Sequence, residues 1–249
     1  MAKNTSLFKI EGSLDEITFY KTADGHYVRM KGGISKDRIM NDPSFVRTRE
    51  NMSEFAHLAR TGKYFRQAIG GLLQQAKDNK LTGRMTRTFS AVKKLDYSSS
   101  RGQRQVGIGM ATPQGKQLLK GFDFNRHAPL MQVVLKPVAV DTATAAFTIT
   151  DLVPLEDLRV PEGATHVHFS GAHLNYDFAT HQSDLQMCQM MEVPLDMQTY
   201  QVSVAPQQLA AGNGLSFFLF FVSFYQEMNG HQYSLRNGMF NVLHIVDVV

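Results

Sequence analysis

His166 and His168 stand at alternate positions, the spacing in this 249-residue chain most suggestive of metal chemistry. On a strand both imidazoles would project from one face, an arrangement zinc can use, with His173 and His181 nearby in sequence. A structural zinc site wants four ligands, and no cysteine or acidic residue follows at motif spacing. The pair therefore reads as surface histidines on the polar face of a strand. Glu156, Asp157 and Glu162 form no recognisable acid/base pair and read as loop residues. Gly107-Ile108-Gly109-Met110 lacks the further glycine and the strand-to-helix context of a dinucleotide fingerprint, and neither Gly83-Arg84 nor Gly115-Lys116 is a Walker A loop. No Gly-x-Ser-x-Gly elbow presents a serine nucleophile. Cys188, the one cysteine, cannot form an internal disulfide and reads as a small buried hydrophobe. The expectation is a protein that is not an enzyme, has no cofactor or metal, and shows no evident small-molecule substrate.

What the chain does concentrate is charge. Residues 1–125 hold 22 of the 26 Lys and Arg against 11 of the 22 Asp and Glu, a net +11; residues 126–249 hold the other 4 against 11, a net −7. The basic side chains crowd together: Arg47, Arg49, Arg60, Lys63, Arg66, Arg84, Arg87, Lys93 and Lys94, with Arg101 and Arg104 just beyond. Such density can neutralise phosphates, which makes these residues candidates for binding a partner or nucleic acid. No helix-turn-helix, zinc-finger or ribonucleoprotein signature supports groove reading. A second explanation is assembly: the basic part of one subunit meets the acidic part of the next, head to tail, giving rings or filaments. The two parts packing together within one chain is the plainer alternative, and it excludes neither.

The elements that would carry these residues follow from periodicity. Residues 7–31 predict an antiparallel ribbon, with Ile17-Thr18-Phe19-Tyr20 returning through an Asp24-Gly25 turn into His26-Tyr27-Val28-Arg29-Met30. Such a ribbon is marginal alone, so Ile17, Phe19, Tyr20, Tyr27 and Val28 form a candidate assembly ribbon that lends strands to a neighbour. Asp42-Pro43 is a helix start, and Phe45, Met52, Phe55, Ala59, Phe65, Ile69, Leu72 and Ala76 keep helical spacing to about Lys77, interrupted at Gly70-Gly71. Leu81, Met85, Phe89, Val92 and Leu95 predict a second helix over 80–95, making a helical hairpin. Ser98 to Arg104 reads as a mobile loop, and a short helix is expected near 114–121. From about Leu130 the period becomes two, with a bulge expected at Gly171, a central strand over 217–225 and an Asn229-Gly230 hairpin turn. This spacing argues for an immunoglobulin-like sandwich of roughly seven strands, although the paired cysteines and core tryptophan of true immunoglobulin domains are missing.

Apolar residues at 43% and charged residues at 19% are ordinary for a folded chain and argue against wholesale disorder. The first residues lack the apolar core of a signal peptide, and the longest apolar-rich run, from Leu215 to Tyr225, is about half of the roughly 20 residues a membrane-spanning helix needs. The expectation is a cytoplasmic protein with no membrane insertion. The stretches Gly12-Ser13-Leu14, Ile17-Thr18-Phe19-Tyr20-Lys21, Val28-Arg29, Asp42 to Asn51 and Glu54-Phe55 resemble the opening of a family of unknown function from Bacteroidota. The resemblance covers about the first 70 residues and implies no activity or site residue. The expected fold class is α+β: residues 1–125 as β-ribbon and basic helical hairpin, residues 126–249 as an acidic, antiparallel, immunoglobulin-like β-sandwich. The expected function is a non-catalytic structural or scaffolding subunit that self-assembles into a homo-oligomer, such as a filament, shell or phage-like component. The alternative is a nucleic-acid-associated protein that binds phosphates through its basic helices.

Overall fold

Ile17, Phe19, Val28 and Met30 alternate with Thr18, Tyr20, Tyr27 and Arg29, and the chain folds this alternation into an antiparallel sheet. In a computed structural model that describes residues 2–235 and 238–249, the chain divides into two units between Asn51 and Met52. The first unit holds β1 (Ala2–Lys3), β2 (Gly12–Leu14), β3 (Ile17–Thr22) and β4 (Gly25–Met30) in the order β1-β4-β3-β2. Thr22 pairs with Gly25, so the loop is Ala23-Asp24 and Gly25, with φ +129°, opens β4 instead of centring the turn. Ser35 then caps a helix not anticipated from periodicity, α1 (Lys36–Asn41). Asp42 adopts an extended backbone, as a residue before proline should, and its carboxylate caps the Pro43–Phe45 turn through the Ser44 N–H at 2.9 Å. Helix α2 (Val46–Ala68) follows.

In the second unit α2 stops where expected. Ile69 leaves helical geometry (φ −113°, ψ 23°), and α3 (Gly70–Leu73) is a single turn before the Asp78 corner. Helix α4 (Leu81–Lys93) runs back antiparallel: Arg66 reaches Met85, the Phe65 and Phe89 rings meet edge-on at 5.8 Å, and Glu54 pairs with Lys93. Two short helices, α5 (Val106–Met110) and α6 (Pro113–Leu119), pack tightly beside α4. A Cβ on Gly109 would collide with the carbonyl of Val92, and one on Gly115 with the carbonyl of Gly109. Gly109 and Gly115 thus let backbones touch, whereas a Cβ on Gly83 would meet nothing.

The rest of the chain supplies α7 (Leu130–Val133), β5 (Ala139–Asp141), β6 (Ala146–Leu152), α8 (Pro154–Asp157), β7 (His166–Tyr176), β8 (Ser183–Met187), β9 (Met191–Pro194), β10 (Tyr200–Val204), β11 (Leu215–Met228), β12 (His231–Ser234) and β13 (Val242–Val248). They form two antiparallel sheets. The smaller is β10-β6-β5; in the larger, β7 and β11 are central, with β8 and β9 on one edge and β12 and β13 on the other. Met228 pairs with His231, and both Asn229 (φ 53°) and Gly230 (φ 74°) take positive φ, the hairpin turn the sequence predicts.

Alternation in β11 explains how the larger sheet is covered on both faces. Phe217, Leu219 and Phe221 share a core with Phe65, Phe89, Tyr176 and Ile245, on the helical side. Phe218, Phe220 and Val222 share another with Phe147, Ile149, Val167 and Phe169, on the side of the smaller sheet. Two facing antiparallel sheets are thus present, with a helical layer on the outer face of the larger one. The boundary expected at residue 125 falls inside this unit, because the aromatic rings of helices and sheet pack together. The expected bulge at Gly171 is also displaced. β7 pairs with β11 in unbroken register, and the irregularity lies opposite, between Met187 and Met191. The parity change arises because Val167 and Phe169 face the smaller sheet whereas Leu174 and Tyr176 face the helices.

Candidate functional site

Cross-strand pairing sorts the residues of the N-terminal sheet into two faces. Leu14 pairs with Ile17, Ile17 with Met30, and Phe19 with Val28, so these five apolar side chains share one face. Thr18 with Arg29 and Tyr20 with Tyr27 form the other, where the two tyrosine rings stack at 6.1 Å and the Arg29 guanidinium lies over Tyr20. Of the expected assembly residues, Ile17, Phe19 and Val28 therefore lie on the apolar face, and Tyr20 and Tyr27 behind it. No described residue from 2 to 51 is buried. Leu14 and Met30 are each 70% exposed, and Leu7 and Phe8 in the preceding loop are 97% and 77% exposed. A monomeric protein seldom leaves such a run of apolar side chains in water.

The basic residues do not form one patch. Arg47 pairs with Glu50 at 2.9 Å, and Arg49 donates to the carbonyls of Ile39 and Asp42 at the end of α1. Arg66 lies half-buried against the Met85 sulfur, and Arg84 donates to the Asp78 carboxylate and to the carbonyls of Asp123 and Phe124. Lys93 is buried with Glu54. Lys63 lies over the Tyr64 ring, and Arg101 is exposed. Arg87 and Lys94 line a groove of about 440 Å³ with Phe55 and Leu58. Arg60 and Arg104 line a different pocket, of about 350 Å³.

That second pocket is built with care. Glu54, buried on α2, accepts from the Gly102 N–H at 2.8 Å and from Lys93. Asp96 accepts from the N–H groups of Ser98 (3.1 Å), Ser99 (2.9 Å) and Gln105 (2.9 Å). Burial works against ionisation of Asp96, but these donors hold its pKa far below the usual carboxylate range. The loop expected to be mobile is therefore tethered by two carboxylates. His57 lies one turn after Glu54 and accepts the Val106 N–H at its Nε2 (3.2 Å). His181 sits at the tip of the β7–β8 hairpin with φ +61°, its ring stacked on Tyr64 at 4.6 Å and its Nδ1 3.1 Å from the Tyr176 hydroxyl. Glu54, His57 and Tyr64 carried no motif in the sequence; one signal available was their spacing on the helix face that also bears Arg60.

The histidines first singled out are not on an open face. His168 is buried, stacked on Tyr225 at 3.8 Å and 2.8 Å from Gln232 Oε1, while His166 is half-buried, 3.5 Å from Glu227. Their strand is central in the sheet, so both have neighbours on either side. Among the described residues no group of three or more His, Cys, Asp or Glu is arranged to hold a metal ion. Cys188 is buried, and burial pushes its thiol up to about 12. Among the described residues no helix is long and apolar enough to cross a membrane. No protein-family model, no curated protein and no solved structure matches the chain.

Proposed function

We propose that the chain is a non-catalytic structural subunit that assembles with copies of itself through its N-terminal sheet. The observation that carries this reading is that residues 2–51 form four strands and helical turns without burying one side chain, while Leu14, Ile17, Phe19, Val28 and Met30 share a face. Apolar surface gains about 25 cal/mol per Å² when it leaves water, so such a face is stabilised by whatever covers it. Over residues 1–51 nine Lys and Arg stand against seven Asp and Glu, so the sheet would meet the net −7 of residues 126–249 of a neighbour with only a slight positive excess, and its apolar face carries the proposal. A head-to-tail contact of this kind gives a closed ring or an open filament according to the rotation between copies, and a filament, shell or phage-like component is the form proposed. The immunoglobulin-like outline belongs to the same proposal; its support is that two antiparallel sheets face each other across an apolar core. Nucleic-acid binding by the helices has less support, since Arg49, Arg84 and Lys93 already hold internal partners.

The test is the mass of the full chain carrying Leu14→Lys and Met30→Lys. Both side chains are exposed, so the substitutions should leave the melting of the second unit unchanged and reduce large particles to monomers. Particles of unaltered size would remove the sheet from the contact.

A further inference from the structure

We infer that the pocket between α2 and the loops at 96–105 and 177–182 is a binding site for a small oxyanion of the phosphate class. The inference stands apart from self-assembly and uses none of residues 2–51. Three walls make the site. Ser53, His57 and Arg60 come from one face of α2; Gly102, Gln103, Arg104 and Gln105 come from the tethered loop; His181 comes from the hairpin tip. Only Phe178 and Ala179 are apolar among the lining residues.

The charge in the pocket is unbalanced toward the positive. Arg60 is exposed and has no ion pair among the described residues. Arg104 is 4.0 Å from Glu54, whose two oxygens are already taken up by Lys93 and the Gly102 N–H. Asp177, the next carboxylate, accepts from the Ala179 N–H at 2.8 Å and the Thr180 hydroxyl at 2.6 Å. The carboxylates are thus occupied by donors of their own, while two guanidinium groups face the space.

The histidines fit the same ligand. Burial, reinforced at His57 by the charge at His181 and at both rings by Arg60, pushes them below the ordinary imidazole range. With Nε2 of His57 accepting from Val106, its ring proton sits on Nδ1 and is available to donate. His181 adopts a left-handed backbone that an L-residue enters at a cost, and this cost places its ring on Tyr64 beside Arg60. Forked guanidinium donors match the oxygens of phosphate in pairs, which a monovalent halide cannot exploit. The volume, about 350 Å³, accepts phosphate together with a small organic group. Arg87 and Lys94 line a separate groove with Phe55 and Leu58, so they add no phosphate contact to this pocket.

The experiment is calorimetric titration of the full chain with inorganic phosphate at ionic strength held constant with chloride, followed by a 5′-mononucleotide and a short single-stranded oligonucleotide. Saturable one-to-one phosphate binding is expected, with the His57 and His181 ring resonances moving in step. Arg60→Gln and Arg104→Gln should each weaken it on the order of tenfold or more, and Arg87→Gln should leave it unchanged. A mononucleotide that binds more tightly than phosphate identifies the anion as part of a larger molecule; equal affinity identifies the free ion. Should Arg104→Gln lower the melting temperature through Glu54, the exposed Arg60→Gln decides the matter. Lack of saturation, equal losses from Arg87→Gln, or binding confined to the oligonucleotide with a steep salt slope would overturn the assignment. None of these outcomes reads particle size, so failure here is distinguishable from failure of self-assembly.

Discussion

Lys93 and Glu54 show how this molecule spends its charges. Each is buried, and the pair ties α4 to α2 across 39 residues of sequence. Removing one partner strands the other in a poorly solvated place, so Lys93→Met should destabilise the chain by about 3–5 kcal/mol, measured by urea unfolding. Adding Glu54→Gln should recover much of that loss. Asp96 makes a prediction about acid. Its folded pKa lies below the unfolded value of 3.8, so its contribution to stability is complete above that value and is lost as pH falls through and below it. Asp96→Asn should therefore flatten the decline of stability below about pH 4; an unchanged slope would show that the tether is not ionic. None of this was legible in the sequence. The Gly102 and Val106 amides lie 48 and 49 residues from Glu54 and His57, and a contact at that separation leaves no periodic mark. Local signals fared better: the Asp42 cap before Pro43 and the Asn229-Gly230 turn both formed, because each needs only its own few residues.

At the scale of elements, legibility followed the covering of each face. Helix α4 buries Leu81, Met85, Phe89 and Val92 of its expected stripe, whereas α2 buries Phe65 but leaves Met52, Phe55 and Ala59 of its own exposed and turns Glu54, Leu58 and Thr61 inward. The break at Gly70-Gly71 was readable because it is local. Strand β7 changes which layer covers it partway along, so its pattern looked like a bulge. Gly171 is nonetheless required there, since a Cβ would come within 2.6 Å of the Leu219 carbonyl oxygen and 2.8 Å of the Phe147 ring. Helix α5 escaped notice because Val106 to Met110 holds two glycines, poor helix formers by about 1 kcal/mol each relative to alanine. In the fold that cost is offset by packing. Gly109→Ala should consequently destabilise the protein, by about 1–3 kcal/mol or more, although alanine is the better helix former. A rise in melting temperature would show that α5 does not press on the Val92 carbonyl.

For the whole molecule, part of the uneven charge is internal: the basic helices rest on the sheet of their own chain, with Phe65 at 5.2 Å from Tyr176 and 5.1 Å from Phe217. That packing keeps residues on both sides of position 125, where composition changes, within the one unit Met52–Val249. The first 51 residues hold little of that charge, nine Lys and Arg against seven Asp and Glu, and there strands form as the alternation predicts but none of the described residues is buried. A sequence shows which side of a strand is apolar without showing what will lie on it. The most direct measurement is the molar mass of nuclease-treated, full-length protein by light scattering across a wide concentration range, with imaging of the same material. Self-assembly through the sheet predicts multiples of the 27.9 kDa chain in ordered particles. A single 27.9 kDa species at every concentration would contradict it.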